Sequence, residues 1–124
     1  MQTARLFGVL GDPVDHSLSP VMHNAAFAAL GLPHVYLRYR VPPTALGAAF
    51  REAQKLAMGG LNLTLPLKET ALDLVDRLTP EAERIGAVNT VIFERDGLTG
   101  DNTDGRGFLR SLGRRARLRG RPAI

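Results

Sequence analysis

The sequence predicts an α/β domain: a mainly parallel, twisted sheet of about six strands with helices on both faces, in three layers. Three observations predict it. Short β-rich segments alternate with amphipathic helical segments through most of the 124 residues, and such alternation makes the helices crossovers between parallel strands. Proline or glycine stands at nearly every junction, where each stops the preceding element. Right-handed crossovers then place the third strand beside the first, with the second on the first strand's far side.

The elements follow in order. Residues 5–10 form a buried first strand, broken by Gly11-Asp12-Pro13. After a loop, Ser19-Pro20 marks a helix start, with serine expected at the N-cap and proline at the first helical position. Met22, Ala25, Ala26 and Ala29 give this helix an apolar stripe, and Gly31 ends it. Residues 35–41 are rich in β-formers and make the second strand. Pro42-Pro43 interrupts. The second helix carries Leu46, Ala49, Phe50, Ala53 and Ala57 at helical spacing.

Gly59-Gly60 leads into the third strand, where Leu61, Leu63 and Leu65 alternate with Asn62 and Thr64. A helix is expected after Pro66, burying Leu67, Ala71, Leu74, Val75 and Leu78. Thr79-Pro80 starts a short further helix that Gly86 closes. Residues 87–93 form a fourth strand, Asp96-Gly97 a hairpin turn, and Leu98-Thr99 a returning strand. Asp101-Asn102-Thr103-Asp104 is expected to cap a last helix through Phe108, Leu109 and Leu112.

Composition bounds the function. The length suits one domain, able to bury roughly two thirds of its unfolded surface. Without cysteine, thiolate catalysis and thiolate metal sites are excluded. No apolar run approaches the ~20 residues of a membrane span. The N-terminus lacks a signal-peptide core, so a cytoplasmic protein is the expectation. The net charge of +4 is unevenly placed: seven arginines lie between Arg106 and Arg121, while residues 1–104 carry nine basic and twelve acidic side chains. A basic tail can serve nucleic acid, but this one has no interleaved aromatics. Nucleic acid is therefore not assigned as a partner.

The chemistry-bearing residues gather where strands hand over to helices, the place where open α/β sheets bind ligands. Ser17 and Ser19 stand at a helix N-terminus, whose free N–H groups and dipole favour an anion such as a carboxylate. Their plain alternatives are a loop residue and an N-cap. Asn62, Thr64 and Lys68 come from the third strand and the turn after it. Lys68, near the positive end of its helix, would be eased toward deprotonation, although Glu69 beside it opposes this. Its plain alternative is a solvated lysine. Asp104 could simply serve the dipole of the last helix. His16, His23 and His34 show no metal-ligand spacing, and His23 is expected on the solvated side of the first helix. No metal is assigned. Gly8-Val9-Leu10-Gly11 and Gly105-Arg106-Gly107 are incomplete as dinucleotide fingerprints.

Four segments together resemble one family. Ser17-Leu18-Ser19-Pro20-Val21-Met22-His23-Asn24, Gly60-Leu61-Asn62-Leu63-Thr64-Leu65-Pro66-Leu67-Lys68-Glu69, Gly86-Ala87-Val88-Asn89-Thr90 and Asp101-Asn102-Thr103-Asp104-Gly105-Arg106-Gly107-Phe108 resemble, in order, the N-terminal substrate-binding domain of shikimate dehydrogenases. The resemblance implies NADP-dependent reduction of 3-dehydroshikimate to shikimate. It implies that Ser17, Ser19 and Thr64 hold the substrate carboxylate and that Asn62 and Asn89 hold ring hydroxyls. It makes Lys68 and Asp104 the catalytic pair, both touching substrate.

The family's NADP-binding domain follows this kind of sequence. Residues 1–113 are thus expected to be the substrate-binding domain, and 114–124 a basic tail at the start of an NADP-binding domain missing here. An isolated chain of this kind is expected to bind substrate without turnover, and to self-associate through surface exposed by truncation. Two alternatives stand beside this reading: the substrate domain of a quinate/shikimate dehydrogenase, and a non-catalytic shikimate-binding module. Paired serines at 17 and 19 favour shikimate over quinate, and retention of both Lys68 and Asp104 favours an enzyme.

Overall fold

Strand β1 (Leu6–Gly11) hydrogen-bonds to neighbours on both sides, and the order of the sheet grows out from it. The structure is a computed structural model and describes residues 3–104. The elements after β1 are α1 (Ser19–Ala29), β2 (Val35–Arg40), α2 (Leu46–Lys55), β3 (Gly60–Leu63), α3 (Leu67–Thr70), β4 (Arg77–Leu78), α4 (Pro80–Ile85), β5 (Thr90–Glu94) and β6 (Gly97–Asp101). They form one six-stranded sheet in the order β2-β1-β3-β5-β6-β4. The first and third strands are adjacent and parallel, with β2 beyond β1, as right-handed crossovers require. The pairs β3–β5 and β5–β6 are antiparallel, and β4–β6 is parallel.

Alternation along β3 divides the two faces. Leu61 and Leu63 are buried and pack with Leu46 and Phe50 of α2, Leu67 of α3, Ala82 of α4, and Val88, Val91 and Leu98. Each large side chain fully withdrawn here contributes about 1.5–3 kcal/mol of transfer free energy. Asn62 lies on the opposite face, toward α1. There a smaller cluster of Val9, Val14 and Tyr36 packs against Phe7 and Phe27. Helices thus cover both faces, with α1 alone on the second among the described residues.

The ends of α4 follow the expected chemistry. The Thr79 hydroxyl accepts the Ala82 N–H at 3.3 Å, and Gly86 takes the left-handed conformation at φ 77°.

Other elements depart from expectation. The stripe of Met22, Ala25, Ala26 and Ala29 does not face the core; Met22 is 67% exposed. Pro20 and Phe27 supply the packing face of α1 instead. Ala57, expected in the stripe of α2, lies past that helix at φ 52°. The helix expected over 67–78 is one turn, followed by a 3-10 turn at Ala71–Asp73 and then β4. Its spacing of apolar residues suits a helix, but β6 offers better pairing. The Asp76 N–H donates to the Leu98 carbonyl at 2.9 Å, and the Asp76 carboxylate accepts the Leu98 N–H at 2.6 Å. Tertiary hydrogen bonding overrides local propensity.

The hairpin turn is Arg95-Asp96, because Glu94 and Gly97 already pair across β5 and β6. The last helix beyond Asp104, the arginine tail and the boundary expected at 113/114 lie outside the described residues. Among the described residues, no helix is long and apolar enough to cross a membrane.

Gly97 yields a first test. It sits at φ 145°, and a Cβ there would stand 2.4 Å from Asp76 Oδ2, the carboxylate already committed to the Leu98 N–H. Gly97→Ala is expected to destabilise the chain by about 1–3 kcal/mol through backbone strain and loss of that bond. Urea unfolding measures it, and a change below about 0.5 kcal/mol would contradict the assignment.

Candidate active site

The loops after β1 and β3 are stitched together by backbone. The Thr64 N–H donates to the Leu10 carbonyl at 2.9 Å, and the Asp12 N–H to the Leu65 carbonyl at 3.1 Å. Gly11 permits this approach: a Cβ there would stand 2.4 Å from the Thr64 methyl. Ser17 follows in a turn closed by its N–H on the Val14 carbonyl, 3.1 Å. Ser17 and Thr64 line one cavity of about 180 Å³ with Asp15 and His16. Arg38 of β2 braces the loop, donating to the Ser17 carbonyl from Nε and Nη2 at 3.0 and 2.8 Å.

Ser19 is not the N-cap. It is the first residue of α1, Leu18 holds the cap position, and no side chain caps the helix. The Ser17 hydroxyl accepts the Ser19 N–H at 3.3 Å. The Ser19 hydroxyl is then available to bond the phenol of Tyr36. Ser17 and Thr64 thus line this cavity close to the start of α1, a setting suited to a carboxylate.

The second cluster centres on Asn89, which is 8% exposed. Its Nδ2 donates to Asp104 Oδ1 at 2.9 Å and to Thr103 Oγ1 at 3.1 Å. Its Oδ1 accepts the Thr103 N–H at 3.0 Å and the Thr90 hydroxyl at 2.9 Å. Asp104 is thereby fixed at one oxygen, and its other, Oδ2, receives Lys68 Nζ at 3.4 Å. Lys68 is anchored in turn, because its carbonyl accepts the Val88 N–H at 2.8 Å. Asn102 completes the support: its Oδ1 accepts the Asp104 N–H at 2.9 Å, and its Nδ2 donates to the Ala87 carbonyl at 3.1 Å. Lys68 sits in a one-turn helix, too short to sum the peptide dipoles of a longer one.

Asn62 connects the clusters. Its Nδ2 lies 3.3 Å from the Asn89 carbonyl and 3.2 Å from Thr90 Oγ1, and its Oδ1 accepts the Tyr36 phenol at 2.6 Å. Asn62, Asn89, Asp104 and Lys68 form one continuous hydrogen-bonded set. Ser17 and Thr64 share a cavity, and Ser19 follows at the start of α1. A larger groove of about 340 Å³ runs between α1 and the β3–β5 strands, lined by Phe7, Phe27, Ile92, Tyr36 and Asn62. It is apolar except at the Asn62 end.

Tyr36 is the residue that sequence reasoning missed. It counted only as a β-former, and nothing in its neighbours signals that its phenol reaches β3, 26 residues away. Asn24, within a quoted motif but given no role, holds it: its amide exchanges two 2.8 Å bonds with the Tyr36 backbone. His23 is exposed, yet its ring stacks on Tyr36 at 4.3 Å and 9°, so that face of α1 is not simply solvated.

Nothing described cradles a dinucleotide. Gly8 is pressed against the Tyr39 ring and Gly11 against Thr64, each at 2.4 Å from a built Cβ. Both places are filled by side chains. Among the described residues no group of three or more His, Asp or Glu could hold a metal. The polar set instead offers alternating donors and acceptors, with a lysine–aspartate pair at one end and an anion-suited corner at the other. That pattern fits a small polyhydroxylated acid.

Burial pushes the Tyr36 phenol up to about 12, against the smaller opposite effect of the Ser19 hydroxyl bond. Because the unfolded phenol ionises near 10, Tyr36 contributes stability that is intact below pH 10 and lost as pH rises toward 12. Tyr36 ring resonances are expected to stay at their protonated positions through pH 10.5. Half-titration at pH 10 would contradict the burial described here.

Comparison with known proteins agrees with this geometry. The model of the shikimate dehydrogenase substrate binding domain matches residues 9–91. The NADP(+) shikimate dehydrogenase of Methanopyrus kandleri is 57% identical over 105 residues, which are 85% of this chain and 36% of that protein. A Thermus thermophilus shikimate 5-dehydrogenase, solved with NADP(H) and shikimate, superposes with a TM-score of 0.83 at 51% identity, over 87% of this chain and 41% of the other. A Listeria monocytogenes shikimate 5-dehydrogenase, solved with shikimate and NAD, gives 0.87 at 39% identity, over 98% and 40%. The chain spans about two fifths of the length of these relatives. With the family model matching most of the chain and the fold shared with these structures, the chain belongs to the shikimate dehydrogenase substrate-binding-domain family.

Proposed function

We propose that this chain holds the substrate of an NADP-dependent shikimate dehydrogenase, which reduces 3-dehydroshikimate to shikimate on the way to chorismate and the aromatic amino acids. The observation that carries this reading is the placement of Lys68 Nζ 3.4 Å from an Asp104 carboxylate that Asn89 holds from its other side. A solvated lysine needs no such support.

In the proposed complex, Ser17, Ser19 and Thr64 take the ring carboxylate, with hydroxyl and backbone donors converging on it. Asn62 and Asn89 take ring hydroxyls. Each would do so by exchanging one of its longer bonds, since both amides are already engaged within the protein. Lys68 and Asp104 then meet the oxygen that alternates between ketone and hydroxyl. In the reducing direction the Lys68 ammonium gives its proton to that oxygen; in the oxidising direction the neutral amine takes it back. Asp104 holds Lys68 in place and bonds the same hydroxyl.

NADP is the proposed cofactor because the relatives' names give NADP(+). Among residues 3–104 no turn leaves room for a dinucleotide, since side chains fill the space beside Gly8 and Gly11.

Two tests follow. In an amide NMR titration of this chain with shikimate, shifts are expected at Ser17, Ser19, Asn62, Thr64 and Asn89. Ser17→Ala is expected to weaken binding about tenfold or more, the loss of one hydrogen bond to a charged group. Shifts confined to residues far from these loops would reject the site. A polypeptide of these 124 residues is also expected to bind shikimate without reducing NADP(+), because no dinucleotide cradle is found among the described residues, 3–104. Shikimate-dependent NADPH formation by that polypeptide would contradict this.

A further inference from the structure

We propose that Tyr36 is a positioning residue for substrate recognition: its buried phenol anchors Oδ1 of the Asn62 amide and so holds that amide in place. The direction of the bonds forces this role. Asn62 Nδ2 faces the Asn89 backbone carbonyl, which can only accept. The Asn62 NH2 must therefore stay on that side, and Oδ1 must point to Tyr36. The phenol has one proton, and the 2.6 Å bond commits it to Asn62. One hydroxyl thus joins the second strand to an asparagine of the third.

Tyr36 is built to hold this place. It is 2% exposed. Asn24 clamps its backbone through two 2.8 Å bonds, and His23 stacks on its ring. A strand residue kept only for packing needs neither its hydroxyl nor a polar partner for it. Without the phenol proton, Asn62 Oδ1 loses its partner, and the amide is held from its NH2 side alone. A ring hydroxyl would then meet a less firmly placed amide.

The inference rests on the shikimate reading for its ligand but not for its ligand-free signature. The test is a double-mutant cycle in this chain with Tyr36→Phe, Asn62→Ala and the pair. It is read by shikimate affinity, by thermal melting and by the Asn62 side-chain amide resonances without ligand. Tyr36→Phe is expected to shift the Asn62 amide resonances and to raise the shikimate Kd about tenfold, about 1.4 kcal/mol. In the Asn62→Ala background the same change should cost less than twofold. A merely structural role would lower the melting temperature and leave the cycle additive.

An unchanged Asn62 amide in Tyr36→Phe, or equal losses in both backgrounds, would overturn the inference. If the unaltered chain does not bind shikimate, the substrate reading fails, and the Asn62 resonances alone decide the role of Tyr36. Should Tyr36→Phe not fold, nuclear Overhauser contacts of the Tyr36 hydroxyl proton in the unaltered chain decide it. Contacts to the Asn62 amide are expected, and their absence overturns the inference.

Discussion

A single buried amide carries the geometry of this site. The Asn89 side chain spends both of its N–H groups and both acceptor directions on Asp104, Thr103 and Thr90. Its backbone is no freer: the N–H donates to the Asp101 carbonyl, and the carbonyl accepts from Leu63. Leaving any of these groups buried and unpaired costs about 1–3 kcal/mol. The segment from 101 to 104 is therefore locked to the entry of β5. Where Asp104 stands, and so where Lys68 finds its partner, is set by this one residue.

The mixed sheet makes that arrangement reachable. A purely parallel sheet would carry the segment after β5 away on a helical crossover. Here β5 runs antiparallel to β3 and returns at once as β6. The start of β5 and the end of β6 consequently lie together, beside the end of β3. Asn62, Asn89 and Asp104, far apart in sequence, become neighbours by register alone: Asn62 pairs with Thr90, and Thr90 with Asp101. Ser17 and Thr64 reach the same end through the parallel β1–β3 pair. A serine–threonine corner and a lysine–aspartate corner thus sit at opposite sides of one strand end.

Much of this was legible in the sequence, for physical reasons that can be named. Strand β3 alternates cleanly, so the faces of Leu61 and Asn62 follow from a period of two. The α4 boundaries are written in Thr79-Pro80 and Gly86. The four motifs in family order give the site residues their expected roles. What stayed hidden was tertiary. The 67–78 segment has helical spacing, yet its Asp76 finds both its backbone and side-chain partners on β6. The alanines of α1 look like a buried stripe but face outward, because Phe27 and Pro20 provide enough apolar surface for the small cluster there. Ser19 looks like a cap by composition, while the cap position belongs to Leu18. Tyr36 carries no local signal, since its function depends on where β2 places a phenol relative to β3.

In the proposed complex the two corners grip one molecule, the acid end at Ser17, Ser19 and Thr64 and the reacting hydroxyl at Lys68 and Asp104. A crystal structure of the chain soaked with shikimate would show it. The carboxylate is expected within hydrogen-bond distance of the Ser17, Ser19 and Thr64 hydroxyls, with one ring hydroxyl between Lys68 Nζ and Asp104. Shikimate lodged in the apolar groove under α1, or bound with its carboxylate on Lys68, would contradict it.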